Sequence, residues 1–395
     1  MASPVDTSVK HYRSDMPSAP VLNGVAGSKI AQLEACLCTG YGLKAVTSLV
    51  VAGGIATLTF AGGASAAWPE AVILVAGASN AALNGEQKVL SANTTTVTFA
   101  TGEPDGTDSG TVTFKIAPAG WEKVYSKTNV AVFRSLHPEA TKMFLRVDDT
   151  NAQFVRVVGY ETMSGVDTGA GAFPTAAQQA GGGYWAKSDT TSATPVAWIL
   201  ASDGQIFYDS TAPGSHRGMN YQACQLRGFG DLIAKNPAGD AYRCILNFSA
   251  ATSANGMFDG PLDGGSELRT VLARGFTGLG TAVLTRRFPY VGGADNYRSG
   301  LNDTTLGAFP SPIDGSLLLS EQYVSDAGAP RGDLPGLRYC PQTGAWASFK
   351  MFDTLAHSGR KFIASTPSSV SSNNAVSTVS NTGASFIDIT GPWRG

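Results

Sequence analysis

The chain has 395 residues, enough for about two or three domains of roughly 150 residues each. Apolar residues reach 43%, sufficient for buried cores, but charged residues make up only 15%, where about 25% is usual. A net charge of −2 gives no basic footprint for nucleic acid, and the absence of any run of about 18 apolar residues excludes a membrane-spanning helix. The sparse charge fits a surface covered by other subunits, and equally a Ser/Thr-rich exterior.

Residues 1–20 read as an extended arm, broken by Pro4, Pro17 and Pro20. Lys10, His11, Tyr12 and Arg13 give it polar and aromatic groups suited to lying across a neighbouring subunit, which makes them candidate interface residues. The arm has no apolar stretch of signal-peptide type, so the chain is expected to be made and kept in a cytoplasm until assembly. Residues 26–40 form the best helix candidate: Ser28 can cap it, and Ile30, Leu33 and Leu37 recur at helical spacing. Gly40 and Gly42 end it.

Residues 21–118 are expected to join this helix to a small β-barrel or sandwich. Its strands are Thr47–Ala52, Ile55–Phe60, Ala71–Ala76, Glu86–Leu90, Thr94–Ala100 and Thr111–Ile116. Gly53-Gly54 is placed as a tight hairpin turn.

Residues 119–250 form a second β-rich stretch, with strands at Val130–Arg134, Met143–Val147, Phe154–Tyr160, Pro195–Ala201, Gln205–Asp209, Cys224–Phe229 and Tyr242–Phe248. Within it, 165–185 reads as a long Gly/Ala-rich loop ending at Tyr184 and Trp185. These are candidates for a surface anchor or a sugar-stacking platform. Residues 251–395 are β-rich and loop-rich, and are either a separate domain or one unit with 119–250. Their strands fall at Glu267–Gly275, Thr281–Phe288, Ser316–Ser320, Lys361–Ser365 and Ser385–Ile389. The fold class is therefore mainly β: a small barrel or sandwich after one N-terminal helix, then one or two larger sandwich-like domains with long loops.

No motif nominates a catalytic, cofactor or metal site. His11, His137, His216 and His357 do not pair at ligand spacing. Cys36, Cys38, Cys224, Cys244 and Cys340 are odd in number and lack a CxxC pair, so they read as small buried residues. Asp148 and Asp149 are adjacent, and on a strand they point to opposite faces. Asp203, Asp259, Asp263 and Asp314 each precede glycine, the signature of a turn. Arg331-Gly332-Asp333, flanked by Pro330 and Pro335, reads as a rigid exposed loop.

Several segments resemble tailed-bacteriophage virion proteins, which are also common in prophages. They are VKHYRSDMPSAPVLNGVAGSKIAQLEACLCTGYGLK at 9–44, AALNGEQKVLSANTTTVTFAT at 81–101 and RVVGYETMSGVDTGAGAFP at 156–174. RGDLPGLRY at 331–339 and FIDITGPWRG at 386–395 complete the set. The resemblance implies a virion protein without enzymatic activity, cofactor or membrane insertion. It would be placed in the tail (baseplate, tip or collar-like attachment) or on the head surface as a decoration protein. Its expected partners are copies of itself and other virion proteins. Binding of a host surface glycan through loops 165–185 and 291–312 is the rival expectation, and a polysaccharide-cleaving tail enzyme is the third.

Overall fold

The computed structural model describes residues 3–212, 224–238, 240–250, 262, 270–275, 282–291, 306–326, 328–365 and 384–395. The protein is mainly β, as its alternating sequence pattern requires. The predicted helix is present as Ser28–Leu33, continued by a wider π-helical segment, Glu34–Thr39. Leu33 and Leu37 are fully buried and Ile30 packs beside them.

Six antiparallel strands close into a barrel in the order Tyr41–Ala52, Ile55–Phe60, Thr96–Ala100, Gly85–Ala92, Val72–Ala76 and Thr113–Ile116, returning to the first. Two long strands make the corners. Tyr41–Ala52 pairs with Thr113–Ile116 through its first part and with Ile55–Phe60 through its second, with register shifts on the way. Gly85–Ala92 divides in the same manner between Val72–Ala76 and Thr96–Ala100. Such irregularities bend a strand so that a sheet can close. Leu49, Val51, Leu58, Phe60, Val97, Phe99 and Phe114 point inward and are buried. Gly53 and Gly54 turn the first hairpin with φ of 58° and 77°, left-handed values that favour glycine.

A five-stranded antiparallel sheet follows, in the order Gly183–Ala186, Phe154–Tyr160, Phe144–Asp148, Val130–Ser135, Trp121–Lys127. The 165–185 stretch, expected as one loop, instead carries a two-stranded ribbon (Thr162–Gly165 with Thr168–Ala170) and the strand Gly183–Ala186. Its low hydrophobicity hid these short elements, whose stability comes from neighbours.

The largest sheet runs through twelve strands, from Lys10–Arg13 and Ala197–Ser202 to Arg360–Ser365 and Thr354–His357; a thirteenth, Ile233–Ala234, pairs off this path with Ala329–Cys340. It includes strands from both sides of residue 250, so pairing is continuous between the two C-terminal stretches. Its first half is covered on both faces. Trp198, Leu200 and Phe207 join a core shared with the barrel and the five-stranded sheet. Ile199, Ala201 and Tyr208, on the opposite face, pack in a second core with Leu337, Ile363, Ile387 and Trp393 from the later strands. The Tyr208 hydroxyl donates to the Pro335 carbonyl at 2.9 Å across this second core. One sheet thus folds over to make a sandwich with itself. Burial on both faces explains the continuous apolar run AWILA at 197–201.

The Arg331-Gly332-Asp333 tripeptide lies inside the strand Ala329–Cys340, not in an exposed loop. Arg331 pairs with Asp240 at 3.4 Å and Asp326 at 3.2 Å, while Asp333 pairs with Lys235 at 2.6 Å. Proline suggested a loop, but irregular pairing around Pro330 accommodates it in the ladder. Asp259, Asp263, His216 and nearly all of loop 291–312 up to residue 305 lie outside the described residues.

Candidate functional site

The N-terminal cluster is placed within its own chain. Lys10–Arg13 forms the edge strand of the large sheet, pairing Lys10 with Ser202 and Arg13 with Ile199. The Tyr12 hydroxyl, fully buried, donates to the Ala117 carbonyl at 2.8 Å. Lys10 pairs with Glu86 of the barrel at 2.8 Å. The Arg13 guanidinium makes two bonds to Asp15 and sits 4.9 Å from the Trp68 ring and 4.7 Å from the Phe352 ring. Lys10, Tyr12 and Arg13 clamp the barrel to the sheet, which corrects the expectation of an arm laid over a neighbour. No alternation marked this strand: Val9 and Tyr12, three positions apart, pack into different cores on opposite faces of the sheet.

His11 is buried, and its Nδ1 has no hydrogen-bond partner. Burial, with the charges of Lys88 and Arg13 adding to it, lowers its pKa to about 3. Lys88 itself donates to the carbonyls of Ile389 at 3.1 Å and Thr390 at 2.6 Å, and burial lowers its pKa.

Tyr184 and Trp185 separate. Trp185 is fully buried, donates Nε1–H to the Asn247 carbonyl at 2.6 Å and packs on Phe207. It is a core residue, not a surface anchor, because the strand Gly183–Ala186 turns it toward the large sheet. Tyr184 is half-buried; Arg156 lies 3.9 Å from its ring centroid and donates to its hydroxyl at 2.8 Å, and Phe154 packs edge-on.

Four charged residues that no motif singled out meet beside the helix. Lys29 pairs with Asp209, and Lys187 pairs with Asp149; all four are at most 1% exposed. Gln32 Nε2 donates to Asp209 Oδ1 at 3.1 Å. Asp149 Oδ2 accepts the backbone N–H of Lys29 at 2.8 Å and of Ile30 at 3.1 Å. Asp149 therefore does the capping expected of Ser28, whose hydroxyl donates to the Asn23 carbonyl instead. Burial raises the Asp149 pKa against the opposing pull of Lys187, and burial lowers the Lys187 pKa against that of Asp149. The neighbouring Asp148 faces outward, half-buried, and accepts from Thr150, so the adjacent acids do take opposite faces.

A cleft of about 360 Å³ is lined by Glu139, Thr141, Gln205, Asp231, Arg243 and Arg394, among others. Burial raises the Asp231 pKa to about 6, against hydrogen bonds from Thr141. Thr141 occupies both carboxyl oxygens, with its N–H on Oδ2 and its hydroxyl on Oδ1. Arg394 pairs with Asp203 at 2.6 Å and donates to the Leu232 and Asp231 carbonyls. Asp203 also holds its predicted turn, accepting from the N–H groups of Gln205 and Ile206 at 2.9 Å. Asp314 accepts from Ser316 in the same way. The cleft's charged groups are largely engaged with the protein itself, and among the described residues no aromatic ring lines it to stack on a sugar.

All five cysteines are among the described residues and none is in a disulfide. Among the described residues, no group of three or more His, Cys, Asp or Glu could hold a metal ion.

No protein-family model matches the sequence, and no curated protein matches it.

Proposed function

We propose that the chain is a non-enzymatic structural component of a tailed-phage virion that works by oligomeric assembly. Its place is in the tail, at the baseplate, the tip or a collar-like attachment. The sequence segments that resemble virion proteins support the phage context. The observation that carries the assembly reading is one wall of the barrel. In the register of the Tyr41–Ala52, Ile55–Phe60 and Thr96–Ala100 strands, Ser48, Val50, Ala52, Ile55, Thr57, Thr59, Thr96, Thr98 and Ala100 share the outer face. None is charged and none is buried. A closed barrel holds this wall rigid, so docking on it loses little chain entropy. Copies of this chain and other virion proteins are the partners, and the assembled virion is the location. A decoration protein on the phage head would use the same wall.

The test is mass in solution. Full-length protein is expected to form a closed oligomer whose mass falls in the variant Val50→Glu/Thr57→Lys. These positions face each other across the hairpin, so their opposite charges suit the strand pairing while charging the wall. A chain that stays monomeric at high concentration, or an oligomer unmoved by the double variant, overturns the role given to this wall.

A further inference from the structure

Lys187 and Asp149 stand together with no exposure to solvent, the Lys187 ammonium bonded to a carboxyl oxygen of Asp149. Lys187 Nζ donates to Asp149 Oδ1 and also to the Val25 carbonyl at 2.8 Å. The other carboxyl oxygen, Oδ2, receives two backbone N–H groups, from Lys29 and Ile30. We propose that this pair is a self-modification site, at which Lys187 and Asp149 condense to an intramolecular isopeptide bond.

The chemistry balances without any outside reagent. The Lys187 ammonium hands one proton to Oδ1, giving an amine and a carboxylic acid. The exclusion of water favours that neutral pair over the ionic one, in line with the raised Asp149 and the lowered Lys187 pKa. The Nζ lone pair then attacks Cγ, and the carbonyl electron pair moves onto Oδ2. There the N–H groups of Lys29 and Ile30, at 2.8 and 3.1 Å, stand where negative charge develops. A second proton passes from Nζ to Oδ1, the Cγ–Oδ1 bond breaks, and water leaves. An Nζ–Cγ amide remains, and nothing is oxidised or reduced. Packing has already held the amine against the carboxyl, so an uphill bimolecular reaction becomes a unimolecular one.

The second buried pair provides an internal comparison. Asp209 receives the Gln32 side-chain amide and the Lys29 ammonium, and lacks the two backbone donors that Asp149 has. It is expected to remain uncondensed. A bond between Lys187 and Asp149 would close a loop spanning 38 positions and tie together the ends of two strands of the five-stranded sheet, Phe144–Asp148 and Gly183–Ala186. Covalent closure of that kind would suit a part that must hold under load.

The experiment is mass spectrometry of the full chain, folded, then denatured and reduced. The intact mass is expected to lie one water below that of the sequence. In a tryptic digest, cleavage after Lys187 is lost, and peptide 147–156 travels attached to 157–217. Lys187→Arg keeps the positive charge but cannot condense, and its digest is expected to release 147–156 alone. A wild-type digest with 147–156 and 157–187 as separate peptides overturns the proposal. So does a lost water that maps elsewhere, including to Lys29–Asp209.

Discussion

The Tyr12 hydroxyl reaches the Ala117 carbonyl at 2.8 Å, joining two residues 105 positions apart in a fully buried contact. Through it the first ordered strand of the chain is tied to the end of the barrel's last strand. Tyr12→Phe keeps the ring and leaves the carbonyl without its donor, at a cost of about 1–3 kcal/mol. Removing residues 1–20 strips an entire edge strand with Val9 and Tyr12. It is expected to lower the urea midpoint far more than Tyr12→Phe does. A truncated chain as stable as the full one would contradict the clamp role.

Trp185 offers a direct contrast between core and contact surface. Trp185→Ala is expected to destabilise by about 3–5 kcal/mol, as large-to-small changes in a core do. Chemical denaturation followed by far-UV circular dichroism reads this. A variant of unchanged stability but weaker self-association would restore the surface-anchor role.

The Lys29–Asp209 pair is expected to behave as a buried ion pair. Lys29→Met strands the Asp209 charge and is expected to cost about 3–5 kcal/mol, whereas the double variant Lys29→Met/Asp209→Leu recovers much of it. A double-mutant cycle measured by urea unfolding checks this. Additive single effects would mean the two side chains are not coupled in the folded protein.

His11 and Asp231 give opposite pH dependences. Folded His11 has its pKa lowered to about 3 from 6.5, so between these values the unfolded chain binds more protons. Its contribution is complete above pH 6.5 and is lost as pH falls toward 3. Asp231 is raised from 3.8 to about 6, so in that window the folded chain binds more protons and stability falls as pH rises. His11→Gln is therefore expected to flatten the loss of stability on acidification below pH 6.5, and Asp231→Asn to steepen it. Unfolding free energies of the three proteins across this range decide the matter; parallel curves would remove both assignments.

The barrel was the most legible part of the sequence. Ile55–Phe60 alternates side chains of opposite faces, and its observed ends match the pattern. Gly-Gly and Asp-Gly turns were readable because left-handed backbone is costly for other residues. Gly183–Ala186 was not legible, since a four-residue strand beginning in glycine carries almost no local signal. The buried ion pairs were equally hidden. Lys29 and Asp209 lie 180 positions apart, and each alone looks like an ordinary surface charge.

By itself the sequence determined that the chain would be mainly β, where most strands would run, and that one short helix would precede the barrel. Local periodicity and turn chemistry carry that information, because each depends on neighbouring residues alone. Only the tertiary structure decided which strands pair, and with them that Lys10–Arg13 joins the large sheet. It also decided that this sheet folds over on itself, and that Asp149 meets Lys187. A strand's pattern sets which face is apolar but not its partner, so pairing is settled by burial summed over the whole chain.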